Sequence, residues 1–236
     1  NARNALYTAN QTLYEKYKDT TRELTPADIY DIPSDETNLL PLEGASDWAR
    51  EEIQKAAAKN LLLYDLTDQY QQPITRMEFC YLATRLIATK YFPQSDSRIG
   101  IWSAIDNIKA DRGLTEICSS IQYTDCDDDF IKFLSALDIV KGMGDGTFCP
   151  DQAITREEAA AILSRMADFL QYSFSALSDE LLYSDQALIS DWAKNAVSQM
   201  RQTGIMIGTS DATFSPQEVY TVEQAIATMV RLYEYK

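Results

Sequence analysis

The stretch that decides the fold is Gly142-Met143-Gly144-Asp145-Gly146-Thr147-Phe148-Cys149-Pro150, followed by Ile154-Thr155-Arg156-Glu157-Glu158. It returns 66 residues later as Gly208-Thr209-Ser210-Asp211-Ala212-Thr213-Phe214-Ser215-Pro216, with Thr221-Val222-Glu223-Gln224 at the same downstream spacing. The second half of the pattern occurs a third time, upstream, as Thr75-Arg76-Met77-Glu78. A further element, Ser46-Asp47-Trp48-Ala49, is repeated without change as Ser190-Asp191-Trp192-Ala193. Self-similarity at a fixed period is the signature of a repeat architecture, and it outranks any residue-by-residue propensity.

Each copy reads as helix, Gly-Asp turn, Phe-x-Pro and closing helix. Counted from the threonine, positions +4, +8 and +12 of the closing helices are apolar or small. They are Phe79, Ala83 and Ile87, then Ala159, Leu163 and Ala167, then Ala225, Met229 and Tyr233. Position +11 is apolar as well, and position +10 is arginine in all three (Arg85, Arg165, Arg231). This is helical periodicity with one wide buried stripe. A helical pair of about 50 residues cannot bury such a stripe alone, so three copies are expected to share a centre.

The copies divide the chain. Residues 45–92 form the first, with Asp65-Leu66-Thr67-Asp68-Gln69-Tyr70 where the glycine turn belongs. Residues 93–122 are an insertion or connector with helical material at Ile101–Ile108 and Leu114–Ile121. Residues 123–172 and 183–236 form the second and third copies. They open with Tyr123-Thr124-Asp125 and Tyr183-Ser184-Asp185, where the aspartate is expected to cap the following helix. Residues 1–44 stand outside the repeat. A helix is expected over Asn4–Lys18 and an extended connector over Leu24–Leu42, together the tail of a preceding region.

Composition narrows the function. The 36 acidic and 21 basic residues give a net charge of −15, and there is no histidine. Ser-His-Asp and Cys-His catalytic sets, an imidazole base and histidine-bearing zinc sites are excluded. A nucleic-acid phosphate backbone is a poor partner for so acidic a chain. No apolar run approaches the roughly 20 residues that span a bilayer. The chain opens at Asn1 without a signal peptide and reads as a mature or trimmed form. Four cysteines (Cys80, Cys118, Cys126, Cys149) form no CxxC pair. Buried free thiols are the plainer reading, and a Cys126–Cys149 bridge is the other. The run Asp125-Cys126-Asp127-Asp128-Asp129 alternates like a calcium loop, but Phe130 stands where glycine is needed and no closing glutamate follows. No metal or cofactor is expected, and no acid other than the capping glutamates stands out by position.

Thr followed three residues later by Glu or Gln is a capping box, which Thr75/Glu78, Thr155/Glu158 and Thr221/Gln224 all satisfy. The cap does not explain Arg76 and Arg156. At the first helical position a cation faces the positive end of the helix dipole. Two readings stay open: a salt bridge to a neighbouring copy's carboxylate, or an anion site built from free first-turn N–H groups and the guanidinium. Val222 in the third copy keeps the cap and loses the charge. Gly142, Gly144 and Gly146 supply positive φ for a tight turn. Asp145 hydrogen-bonds its own turn, and Phe148 and Phe214 anchor the core.

The order aromatic-x-Asp, Trp-Ala, Gly204-Ile205, Gly-x-x-Asp-Gly-x-Phe-x-Pro and Ile-Thr-Arg-x-Glu resembles the S-layer homology (SLH) module over residues 45–236. The resemblance implies an all-α, pseudo-threefold assembly of three modules around a central helical bundle, with grooves between neighbours. It implies non-covalent, non-enzymatic anchoring of a bacterial surface protein, extracellularly, to secondary cell-wall polysaccharide carrying a pyruvylated sugar. An upstream cargo domain in the same polypeptide is implied too. Carried over residue by residue, Arg76 and Arg156 become contacts to the pyruvate carboxylate beside Glu78 and Glu158. Gly142, Gly144 and Asp145 become groove lining. Trp48 and Trp192 either offer faces to a sugar or pack in the core, the latter being the plainer reading. The alternative role is a protein-interaction or spacer module with degenerate sugar sites.

Overall fold

The computed structural model describes residues 42–91, 101–174 and 183–235. The expectations for 1–41 lie outside the described residues, as does the start of the insertion. Eight α-helices are described: α1 Arg50–Ala58, α2 Arg76–Tyr91, α3 Ile101–Arg112, α4 Thr115–Ser120, α5 Asp129–Ala136, α6 Arg156–Phe169, α7 Lys194–Gln202 and α8 Val222–Glu234. Short 3-10 turns lie at Tyr64–Leu66 and Gln186–Leu188. The architecture is all-α. Only isolated antiparallel bridges appear among the described residues, at Pro73–Thr221, Thr75–Ala153 and Thr155–Val219.

Those bridges belong to a closed loop of three links. Ile74 N donates to Tyr220 O at 2.9 Å, Tyr220 N to Ile154 O at 2.8 Å, and Ile154 N to Ile74 O at 3.0 Å. The three residues directly precede the capping threonines, and all three are buried. Helix packing follows the same order: α2 rests on α5, α6 on α7, and α8 returns to α1. Each closing helix thus meets the opening helix of the next copy. The stripe read from the sequence is buried in α2 and α6 and through Met229 in α8, with Tyr233 half-buried at the end.

All three capping boxes form. Thr75, Thr155 and Thr221 each accept from the backbone N–H three residues on, and Glu78, Glu158 and Gln224 accept from the threonine N–H. The insertion contributes α3 and α4, close to the two helical stretches expected there; α3 packs on α2 and α4 on α5. All four thiols are free, with Cys80, Cys118 and Cys126 buried, so the Cys126–Cys149 bridge is not formed.

Two local readings are corrected. Asp125 and Asp185 do not cap the helices that follow them. Asp125 accepts from Phe148 N and Cys149 N, both at 2.8 Å, and Asp185 accepts from Phe214 N at 3.0 Å and Ser215 N at 2.7 Å. Each fastens the Phe-x-Pro segment of its own copy, in which Cys149 and Ser215 adopt positive φ (57° and 58°). Asp128 is the cap of α5, accepting from Phe130 N and Ile131 N. Within the aspartate run, Asp125 and Asp128 accept from backbone N–H groups and Asp127 pairs with Lys132. Gly144 and Gly146 take positive φ as expected, but Gly142 does not. Gly142 is glycine for space: a Cβ there would lie 2.7 Å from both Thr147 O and the Tyr123 ring.

The Asp125 fastening predicts a pH dependence. The Phe148 N–H, chiefly, holds its carboxyl below the ordinary carboxylate value, with the Cys149 N–H adding to it. A lowered folded pKa stabilises in full above the ordinary carboxylate range. That contribution shrinks below the range and is gone once pH has dropped through the folded value. Asp125→Asn is therefore expected to flatten the acid limb of the stability curve. An acid-unfolding profile with the wild-type slope would refute this.

Candidate functional site: two grooves crossed by all three copies

The first groove is lined by Arg76, Lys141, Gly142, Glu158, Arg165 and Trp192 among others. The second is lined at equivalent places by Arg156, Ile207, Gly208, Gln224, Arg231 and Trp48. Each has a volume of about 290 Å³, at the small end for ligand pockets, which start near 300 Å³. In each, one copy supplies the first-turn arginine, the next supplies the walls, and the remaining copy supplies the tryptophan.

Neither arginine is a surface side chain. Arg76 is 5% exposed and Arg156 is 3% exposed. Arg76 donates from Nε to Phe148 O at 3.0 Å and from Nη2 to Lys141 O at 3.2 Å, while its Nη1 pairs with Glu158 at 3.1 Å. Arg156 donates from Nε to Phe214 O at 2.7 Å and from Nη2 to Ile207 O at 2.8 Å. Both guanidiniums stack over the Phe of the Phe-x-Pro segment, 4.9 Å from the ring centroid. Arg156 Nη1 has no acceptor among the described residues. The salt-bridge reading therefore holds for Arg76 and fails for Arg156, because position +3 of the third copy is Gln224.

The first-turn N–H groups are not free, contrary to the anion-site expectation. Arg76 N donates to Gln152 O and Met77 N to Pro150 O; Arg156 N donates to Glu218 O and Glu157 N to Pro216 O. Carbonyls of the next copy's loop take the place a ligand was expected to fill. The first-turn N–H groups of Arg76, Met77, Arg156 and Glu157 are thus all occupied within the protein.

Trp48 and Trp192 are 50% and 58% exposed, so they are not core residues. Buried glutamates hold the segments that carry them. Glu223 accepts from Ser46 N at 2.9 Å and Ser46 Oγ at 2.7 Å; Glu157 accepts from Ser190 N at 2.9 Å and Ser190 Oγ at 2.8 Å. The corresponding residue of the first copy is Met77, whose thioether is only a weak acceptor and cannot take the place of a carboxylate. The copy it would serve, the second, lacks the Ser-Asp-Trp segment, running from Tyr123 to the α5 cap Asp128 in five residues. Among the described residues the third junction thus has neither a first-turn arginine nor a tryptophan: Val222 is buried there, and Tyr81 donates to Asp128 at 2.8 Å.

Of the residues singled out from sequence, Arg76, Arg156, Glu158, Gly142, Trp48 and Trp192 come together on the two grooves. Glu78 is confined to its capping box, and Gly144 and Asp145 lie in the exposed turn, where Asp145 accepts from Thr147 N and Oγ1. The sequence reading missed Arg165 and Arg231 as lining. Their signal was present: +3 and +10 are seven residues apart and share a helix face. Burial lowers the Arg165 pKa, and the Asp138 carboxylate works against that shift.

The S-layer homology domain profile matches residues 126–160 and 182–221. The chain carries S-layer homology domains. It is a protein of the bacterial cell surface, and these domains form a cell-surface anchoring module. It is similar to the surface layer protein of Brevibacillus choshinensis, 32% identical over 45% of this chain and 9% of that one. It is similar to an endoglucanase of Bacillus sp. (strain KSM-635), 34% identical over 37% of this chain and 9% of the enzyme. An amylopullulanase of Thermoanaerobacterium thermosulfurigenes is 27% identical over 80% of this chain and 9% of its own length. The chain spans about a tenth of these relatives, so likeness to the two enzymes gives the SLH chain no catalytic role. Among the described residues no helix is long and apolar enough to cross a membrane.

Proposed function

We propose that the three copies form a pseudo-threefold SLH unit that holds a larger polypeptide to the wall. It does so by binding secondary cell-wall polysaccharide, with a pyruvylated sugar seated in the Arg76 and Arg156 grooves. The observation that carries this is the pairing, in each groove, of a buried guanidinium with a half-exposed tryptophan. That combination suits a ring with one apolar face and a carboxylate at its edge. The cyclic order of helix packing and the loop through Ile74, Ile154 and Tyr220 support the pseudo-threefold reading.

Removing both arginines is a poor test, because each also donates to two backbone carbonyls of the next copy, one of them through a buried hydrogen bond. The exposed tryptophans are better targets. The intact chain is expected to sediment with purified walls bearing the pyruvylated polymer. Trp48→Ala with Trp192→Ala is expected to bind at least about tenfold more weakly with an unchanged thermal midpoint. Equal sedimentation of the double variant would sink the groove assignment. No wall binding by the intact chain would favour protein docking instead.

A further inference from the structure

The two grooves differ in one physical respect that the repeat pattern conceals. In the first, two of the three lining cations are ion-paired. Arg76 pairs with Glu158 at 3.1 Å, Lys141 with Asp138 at 3.3 Å, and Arg165 feels the same Asp138. In the second, both acids are absent at the matching places. Gln224 replaces Glu158 at +3. Gly204 replaces Asp138 at the positive-φ residue that ends the opening helix (φ 71° and 57°). No Asp or Glu lines the second groove, although it holds Arg156 and Arg231 in a chain of net charge −15. Nor do Arg156 and Arg231 form an ion pair with any described residue.

The capping box does not account for this choice, since Glu and Gln both return the bond to the threonine N–H. Burying a guanidinium without a counterion is costly, and Arg156 is held there by two carbonyls and by the rings of Phe214 and Tyr220. A ligand anion would supply the missing charge and accept from the free Nη1. In the first groove the same anion would meet Glu158 and lose much of that gain.

We infer that the Arg156 groove is the site selective for the anionic sugar, that the Arg76 groove takes an uncharged saccharide unit, and that position +3 of the wall helix (Gln224 against Glu158) sets the difference. This rests on the saccharide reading above and narrows its pyruvylated site from both grooves to the Arg156 groove.

The test is calorimetric titration of the full chain with a pyruvylated N-acetylmannosamine glycoside and with its pyruvate-free parent. The anionic glycoside is expected to fill one site. Gln224→Glu should weaken it about tenfold with no such change for the parent, and Glu158→Gln should open a second anionic site. Trp48→Ala should weaken anionic binding without any demand on the cap or the arginines, so the assignment stays testable if a position +3 variant fails to fold. Anionic binding indifferent to position 224, or weakened by Trp192→Ala in place of Trp48→Ala, overturns the inference while leaving the saccharide reading intact. Failure of the wild-type chain to bind either glycoside overturns both.

Discussion

Gly208→Ala is expected to destabilise the protein by about 3 kcal/mol, at the upper end of what an overpacked position costs. A Cβ at 208 would lie 2.4 Å from Thr213 O, 2.5 Å from Ser210 O and 2.8 Å from the Tyr183 ring. Two of those atoms are backbone of the same turn, and the turn is fastened by Asp185 through Phe214 N and Ser215 N. It cannot open without losing charge-assisted hydrogen bonds. Gly204→Ala is the control. Gly204 has φ +71° and nothing within 4 Å of its would-be Cβ, so only the left-handed backbone is penalised, by about 1 kcal/mol. Urea denaturation of the two variants separates these costs. Equal losses would show that the groove wall is not closely packed at Gly208.

Glu158→Ala is the second large effect, again about 3 kcal/mol or more. Glu158 divides its two oxygens: Oε2 accepts from Thr155 N to close the capping box, and Oε1 pairs with buried Arg76. Alanine removes the cap, worth about 1 kcal/mol, and leaves Arg76 with an uncompensated charge, the more expensive consequence. Gln224→Ala at the equivalent place removes a cap and no ion pair, so about 1 kcal/mol is expected there. Glu158→Gln should fall between the two. A double-mutant cycle with Arg76 isolates the pair, and equal losses for Glu158→Ala and Gln224→Ala would count against it.

Much of this fold was legible because repetition removes ambiguity. Capping boxes, buried stripes and the Phe-x-Pro anchors were all readable, and Phe148 and Phe214 are fully buried. What escaped reading depends on contacts between residues far apart along the chain, some within a copy and some between copies. Asp125 and Asp185 precede helices and look like caps, yet their partners lie more than 20 residues onward. Gly142 looks like a turn glycine, but a tyrosine ring from the start of its own copy takes the space. The first-turn N–H groups look free because the carbonyls that fill them come from another copy. Trp48 and Trp192 have the composition of core residues, and their exposure follows from the Ser-Glu fastening that places them over a groove. The difference between the grooves was in plain view as Glu158 against Gln224. It acquired meaning only when Arg76 and Arg156 were found buried beside them.

The three-link loop through Ile74, Ile154 and Tyr220 bears on how the protein resists being pulled. An open array of repeats frays from its ends, one unit at a time, because a terminal unit has a single neighbour. Here the last closing helix returns to the first opening helix. No unit is terminal, and releasing any one of them breaks two junctions at once. A pull on one copy is therefore resisted at both of its junctions, a useful property under tension at a cell surface.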